Sequence, residues 1–155
     1  MFASDVMTTR FTTLKPDNSI AEAVKRFKEA SRQQGKNVFG LMVTDEADKL
    51  VGMLSMYDIL LFVQPRHAHV WQELTETDQA LAFGDLLGRV KSIQVGDLMT
   101  PDVLTIEPRT HLMAIVDTMI KRHVRRLPVV SDGQVVGIVY ISDLFYHLLQ
   151  RYLAD

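Results

Sequence analysis

Asp5-Val6-Met7-Thr8 returns later in the chain as Asp97-Leu98-Met99-Thr100, and the pattern downstream of it returns as well. In both places an extended stretch leads to a proline, Pro16 or Pro108, and then to an amphipathic segment. Asp5 and Asp97, Met7 and Met99, and Pro16 and Pro108 all lie 92 positions apart. The copies also end alike. Leu50-Val51-Gly52-Met53-Leu54-Ser55-Met56-Tyr57-Asp58-Ile59 matches Val135-Val136-Gly137-Ile138-Val139-Tyr140-Ile141-Ser142-Asp143-Leu144 at a spacing of 85, because the first copy has the longer middle. A supersecondary unit that repeats does not bury its apolar face alone, so the two copies are expected to pack together about an approximate twofold axis. Their shared surface is the first place to look for function.

Composition agrees. The chain has 155 residues, so two copies of about sixty would each be marginal alone and comfortable as a pair. With 47% hydrophobic and 23% charged residues it belongs among globular rather than disordered chains. A net charge of −2 offers no bulk attraction to a polyanion, which argues against nucleic acid as the main partner. Cysteine is absent, which removes disulfides and thiolate metal sites and favours an intracellular setting. No apolar run reaches the roughly 18 residues of a membrane span, and the first residues lack a secretory pattern. A cytoplasmic location with no membrane partner is expected.

Within the first copy, residues 1–63, Phe11 to Leu14 reads as a short strand closed by Pro16. Ser19 with Glu22 forms a capping box, and Ile20, Ala23, Val24 and Phe27 mark one face of a helix ending before Gly35. Val38 to Val43 and Lys49 to Leu54 read as strands, and Met56 to Val63 as a helix stopped by Pro65. The second copy, residues 94–155, gives a strand over Val103 to Ile106 and a helix capped by Thr110 with Leu112, Ile115, Val116, Met119 and Ile120 on one face. Leu127 to Val130 and Gln134 to Val139 are strands joined through Asp132-Gly133, a hairpin signal, and Ser142 to Leu153 is the closing helix. The expected fold class is α+β (mixed α/β), two β-α-β-β-α repeats. Residues 64–93 between them are too apolar for a free linker and are expected to form one or two helices.

A tandem β-α-β-β-α unit opening with D-(V/L)-M-T and closing with a glycine, two apolar residues and an aspartate resembles the CBS domain, named from cystathionine β-synthase. Arg125-Arg126-Leu127-Pro128-Val129-Val130-Ser131-Asp132-Gly133 and Val136-Gly137-Ile138-Val139 carry the resemblance most strongly. It implies a tandem pair, or Bateman module, that forms a disc-like homodimer and binds adenosine-containing ligands in clefts between the repeats. Carried over to this chain, one cleft would pair Ser55 and Asp58 with Thr100, Leu104 and Val124. The other would pair Ser142 and Asp143 with Thr8, Thr12 and Val38. The two aspartates would hold ribose hydroxyls, and Arg125 and Arg126 would face phosphate.

The residue chemistry is compatible with those roles. A carboxylate accepts hydrogen bonds from two vicinal hydroxyls, and guanidinium forks match phosphate oxygens. The same residues have plainer readings, since Ser55-x-x-Asp58 is itself a capping arrangement and exposed arginines are often only solvated. Lys121, Arg122 and His123 read as a final helical turn whose charge offsets the dipole. The copies also differ. The first has Asn37-Val38-Phe39-Gly40-Leu41 where the second has its arginines, and Tyr140 replaces the hydroxyl of Ser55, so unequal clefts are expected. Met7-Thr8 and Met99-Thr100 read first as packing, and His67-Ala68-His69 as too small a set for a metal.

No nucleophile elbow, phosphate loop or zinc-protease motif is present, and the chain is read as non-enzymatic with no required cofactor. The leading expectation is a stand-alone regulatory module that senses AMP, ADP, ATP or S-adenosylmethionine and signals to a protein partner. The alternative is a ligand-independent dimerisation or interaction protein with vestigial clefts.

Overall fold

The computed structural model describes residues 1–65 and 67–153. Arg66, inside the expected connecting segment, and Ala154 and Asp155, at the end of the second expected copy, lie outside the described residues. Helices and strands are mixed, as expected, and each copy opens with a short helix that the expected repeats did not contain. They are α1 (Ala3–Val6), β1 (Thr13–Leu14), α2 (Ile20–Gln34), β2 (Gly40–Thr44), β3 (Leu50–Ser55), α3 (Met56–Val63), α4 (Ala68–Glu73), α5 (Glu76–Lys91), α6 (Val95–Leu98), α7 (Leu112–Arg122), β4 (Arg126–Ser131), β5 (Gln134–Tyr140) and α8 (Ile141–Leu153). Among the described residues no helix is long and apolar enough to cross a membrane.

Two compact units emerge, and they do not coincide with the two copies in sequence. Met1–Phe11, Glu46–Leu50 and Asp102–Asp155 make up unit 1, and Thr12–Asp45 with Val51–Pro101 make up unit 2. The opening D-V-M-T of the first copy thus belongs with the body of the second, and the opening D-L-M-T of the second with the body of the first.

In unit 2 the strand order is β1-β2-β3, with β1 parallel to β2 in the register Thr13↔Met42 and Leu14↔Val43. Leu14, Val43 and Leu54 from the strands meet Ile20, Ala23, Phe27 and Ala30 of α2 and Val90 of α5 in one buried cluster. Ser19 caps α2 by accepting from the Glu22 N–H at 3.1 Å, and Gly35, at φ 64°, closes it. Only half of the expected box forms, because the Glu22 carboxylate accepts from the Asn18 amide at 2.9 Å. Val24, expected on the buried face, is 52% exposed. Thr44 is the buried polar residue here, and its hydroxyl accepts from Lys15 Nζ at 3.0 Å.

In unit 1, β4 and β5 form an antiparallel hairpin whose two-residue turn has Asp132 at φ 51° and Gly133 at φ 79°. Positive φ at both positions is what a type I′ turn demands, so the Asp-Gly signal is borne out. The expected strand over Val103–Ile106 contracts to a single parallel bridge, Ile106↔Val129, held by hydrogen bonds of 3.0 and 2.8 Å. Phe11–Leu14 likewise shortens to β1. The cap expected from Thr110 comes instead from His111, whose Nδ1 accepts from the Met113 N–H at 3.1 Å. The Thr110 hydroxyl is already engaged in the preceding turn by the Glu107 N–H at 3.0 Å, so the local bond wins. Ile120 is 63% exposed and leaves the expected face to Leu112, Ile115 and Met119. His123, at φ 53°, terminates α7 rather than belonging to its last turn, and Lys121 pairs with Asp117 at 3.0 Å.

Two glycines explain themselves by close approach. A Cβ on Gly137 would lie 2.7 Å from Met7 Sδ, and one on Gly52 would lie 2.6 Å from Met99 Sδ. Gly88 in α5 meets nothing within 4 Å. Gly137→Ala is therefore expected to destabilise the protein by roughly 1–3 kcal/mol through overpacking. Gly88→Ala should stabilise it by up to about 1 kcal/mol through helix propensity. Urea unfolding of both variants checks the opposite signs.

Candidate functional site

The same local architecture is built once in each unit. In unit 2, Thr100 crosses the free edge of β3 as an antiparallel bridge to Met53, with hydrogen bonds of 3.0 Å (Met53 N–H to Thr100 O) and 2.8 Å (Thr100 N–H to Met53 O). Residues directly opposite in such a pair project to the same face, and residues two apart along a strand share that face. Thr100, Met53 and Ser55 therefore line one face, opposite the buried Leu54. Ser55 ends β3 and caps α3: its hydroxyl accepts from the Asp58 N–H at 3.0 Å, while Asp58 Oδ2 accepts from the Ser55 N–H at 2.8 Å. One carboxylate oxygen is thus used by the cap. A carboxylate has about four acceptor positions, so the cap does not exhaust its capacity.

In unit 1, Thr8 makes the corresponding bridge to Ile138 at 2.8 and 3.0 Å. Thr8, Ile138 and Tyr140 share a face by the same rule, and Arg126 lies directly opposite Tyr140 at the end of the β4–β5 ladder. Asp143 stands in the first turn of α8, half-buried, with Ser142 exposed beside it. Each unit thus joins a methionine-threonine pair from one copy to a helix-opening aspartate from the other. Met7 and Met99 pack on the cores of units 1 and 2 respectively, as the packing reading expects.

The difference between the copies also has a structural register. The Met56 N–H at the start of α3 donates to Phe39 O at 2.8 Å, and the Ile141 N–H at the start of α8 donates to Arg125 O at 2.9 Å. That equivalence sets Phe39-Gly40 against Arg125-Arg126. An exposed phenylalanine occupies in unit 2 the position of an exposed arginine in unit 1.

Of the residues expected to form the first site, Ser55, Asp58 and Thr100 belong to unit 2, while Leu104 and Val124 belong to unit 1. For the second site, Thr8, Ser142 and Asp143 belong to unit 1, and Thr12 and Val38 to unit 2. Arg125 and Arg126 are in unit 1, the first exposed and the second half-buried. Val38 is 1% exposed, its side chain spent in the unit 2 core and its N–H donated to Ser31 Oγ at 3.0 Å, which leaves its carbonyl as the polar group to offer. Sequence reading missed Met53 and Ile138, the strand residues that bring the threonines into register. A glycine ahead of alternating apolar residues was their only signal. The His67 and His69 rings stand 6.0 Å apart, and among the described residues no group of three or more His, Cys, Asp or Glu is placed to hold a metal.

A family model described as CBS domain matches residues 3–64 and 95–150. The chain is 34% identical over 144 residues to the CBS domain-containing protein CBSX1, chloroplastic, of Arabidopsis thaliana, covering 88% of this chain and 58% of that protein. It is 31% identical to CBSX2, chloroplastic, of the same plant, covering 94% of this chain and 63% of that one. The chain therefore spans about six-tenths the length of these curated relatives. A solved structure of CBSX2 in complex with AMP is similar at a TM-score of 0.69 and 30% identity, covering 97% of each chain. The CBS domain of a CBS domain-containing membrane protein from Sphaerobacter thermophilus gives a TM-score of 0.73 at 27% identity, covering 94% of this chain and 86% of that chain.

Proposed function

This chain belongs to the CBS-domain family as a tandem pair, and from that premise we propose that it is a regulatory module that binds an adenosine nucleotide and passes its occupancy to a partner protein. One observation carries the reading: CBSX2, similar along nearly the whole chain, is known in complex with AMP. The half-sites support it chemically. Asp58 and Asp143 open helices beside a threonine, where a carboxylate can accept both ribose hydroxyls. Arg125 and Arg126 supply guanidinium groups suited to phosphate. Because Phe39-Gly40 takes the arginines' place in the other unit, the two copies bind unequally. AMP, ADP and ATP are the favoured ligands, and S-adenosylmethionine is the competing adenosine compound.

The proposal keeps residues 1–63 and 94–155 as the duplicated modules and 64–93 as their connector. It takes the module as non-enzymatic, homodimeric and cytoplasmic, without nucleic acid as a partner, although CBSX1 and CBSX2 are named chloroplastic. A ligand drives signalling only through unequal affinity for two arrangements of the protein, which the partner must then distinguish.

One observation favours the second reading, an assembly protein with vestigial sites. Leu60 and Leu61 of α3 and their counterparts Phe145 and Tyr146 of α8 are all exposed, apolar faces that another surface would cover. A melting screen separates the two. A nucleotide at a hundredfold over its dissociation constant stabilises the fold by about 2.7 kcal/mol, which raises Tm by roughly 5 to 10 °C at this size. AMP, ADP or ATP is expected to do so. Flat melting curves with every adenosine compound would transfer the case to assembly.

A further inference from the structure

The connector holds a cavity that the nucleotide reading does not use. Entirely within unit 2, the end of α3, the residues Gln64, Pro65 and His67, and the helices α4 and α5 line an open-sided cavity of about 660 Å³. That is the size range of small-molecule sites. Its wall is fixed rather than loose: Gln79 Nε2 of α5 donates to Trp71 O at 2.7 Å and to Leu74 O at 3.3 Å, tying the last turn of α4 to α5. Phe62, Val70, Trp71 and Leu86 give the lining an apolar side, and Asp85 and Arg89 give it a charged one.

The two charges on that side do not close on each other. Asp85 and Arg89 are one helical turn apart on α5, with the acid toward the N-terminus, the spacing and order that favour an ion pair. Asp117 and Lys121, spaced the same way on α7, close to 3.0 Å. No ion pair joins Asp85 to Arg89 among the described residues, and both line the cavity. An exposed anion and an exposed cation about one turn apart, beside aromatic and aliphatic side chains, complement a small zwitterion with an apolar substituent. Arginine suits a carboxylate in two-pronged fashion, aspartate accepts from an ammonium, and Trp71 with Phe62 takes the side chain.

We propose that this cavity binds a free α-amino acid with an aromatic or large aliphatic side chain, its carboxylate on Arg89 and its ammonium on Asp85. A lone carboxylate would leave Asp85 unanswered, and a lone amine would leave Arg89 so. The site is separate from the helix-opening aspartates, and it makes the connector a second input to the module.

Trp71 is the only tryptophan in the chain, so its emission reports the cavity directly. Titrating the full chain with L-phenylalanine and L-leucine is expected to give a saturable change in Trp71 fluorescence. Phenylalaninol, which lacks the carboxylate, and 3-phenylpropanoate, which lacks the ammonium, should each bind about tenfold or more weakly than phenylalanine. Arg89→Gln and Asp85→Asn, both at exposed positions, should keep the native melting curve and weaken phenylalanine binding by a similar factor. No saturable change up to the solubility limit, or equal affinity in both variants, overturns the proposal. Emission that shifts with protein concentration and not with amino acid also overturns it, assigning the cavity to contact between copies.

Discussion

A chain lacking residues 1–10 is expected to lose the folded state of unit 1 while the core of unit 2 persists. The deleted segment makes five backbone hydrogen bonds to the rest of that unit: Ala3 N–H to Thr110 O, Ser4 N–H to Pro108 O, Leu112 N–H to Met1 O, and the reciprocal pair between Thr8 and Ile138. At about 1 kcal/mol net for each bond, and with Ala3 fully buried and Val6 and Met7 packed on the core, the loss is on the order of 5 kcal/mol or more. That equals the entire stability of many domains. Removing the segment also bares the edge of β5. Hydrogen exchange would show amide protection collapsing across β4, β5 and α7, and surviving in α2 and β2. Uniform protection matching the intact chain would mean that the segment is dispensable.

Asp58→Asn and Asp143→Asn should weaken AMP binding very unequally, one of them by roughly 10- to 100-fold, the cost of a charge-assisted hydrogen bond. Stability isolates that effect for Asp58. An asparagine oxygen still accepts from the Ser55 N–H, so Asp58→Asn should melt near the parent, whereas Asp58→Ala loses that half of the capping box and about 0.5–1.5 kcal/mol, the net value of one hydrogen bond. Calorimetry with AMP then distinguishes the readings. A loss of affinity in Asp58→Asn or Asp143→Asn at unchanged melting assigns that carboxylate to ligand, and full affinity in both variants leaves them as caps alone. Two equal, independent sites in the parent protein would contradict the asymmetry drawn from Arg125 and Phe39.

Local chemistry was legible from sequence wherever one residue type has one way to satisfy the backbone. Asp132-Gly133 and Gly35 needed left-handed backbone, and Ser19 and Ser55 needed only an N–H three residues on. Legibility failed where two bonds compete for one group. Thr110 looks like a cap, but its hydroxyl is nearer the Glu107 N–H, and the helix takes a histidine nitrogen instead. It failed again at the margins of amphipathic faces, where Val24 and Ile120 fit the period yet lie outside the buried arc. The greatest loss was long-range. Periodicity recorded that D-(V/L)-M-T occurs twice but not which body each one joins, because either choice satisfies the same pattern of residues. Gly52 and Gly137 carried that information as steric need, visible only once Met99 and Met7 are found above them.

The crossed leaders have a genetic consequence. A gene encoding either half by itself would specify a body whose edge strip, as paired in this chain, is written in the other half, so a lone half would use its own leader or one from a sister molecule. Joining the two halves in one polypeptide makes that exchange internal to the molecule.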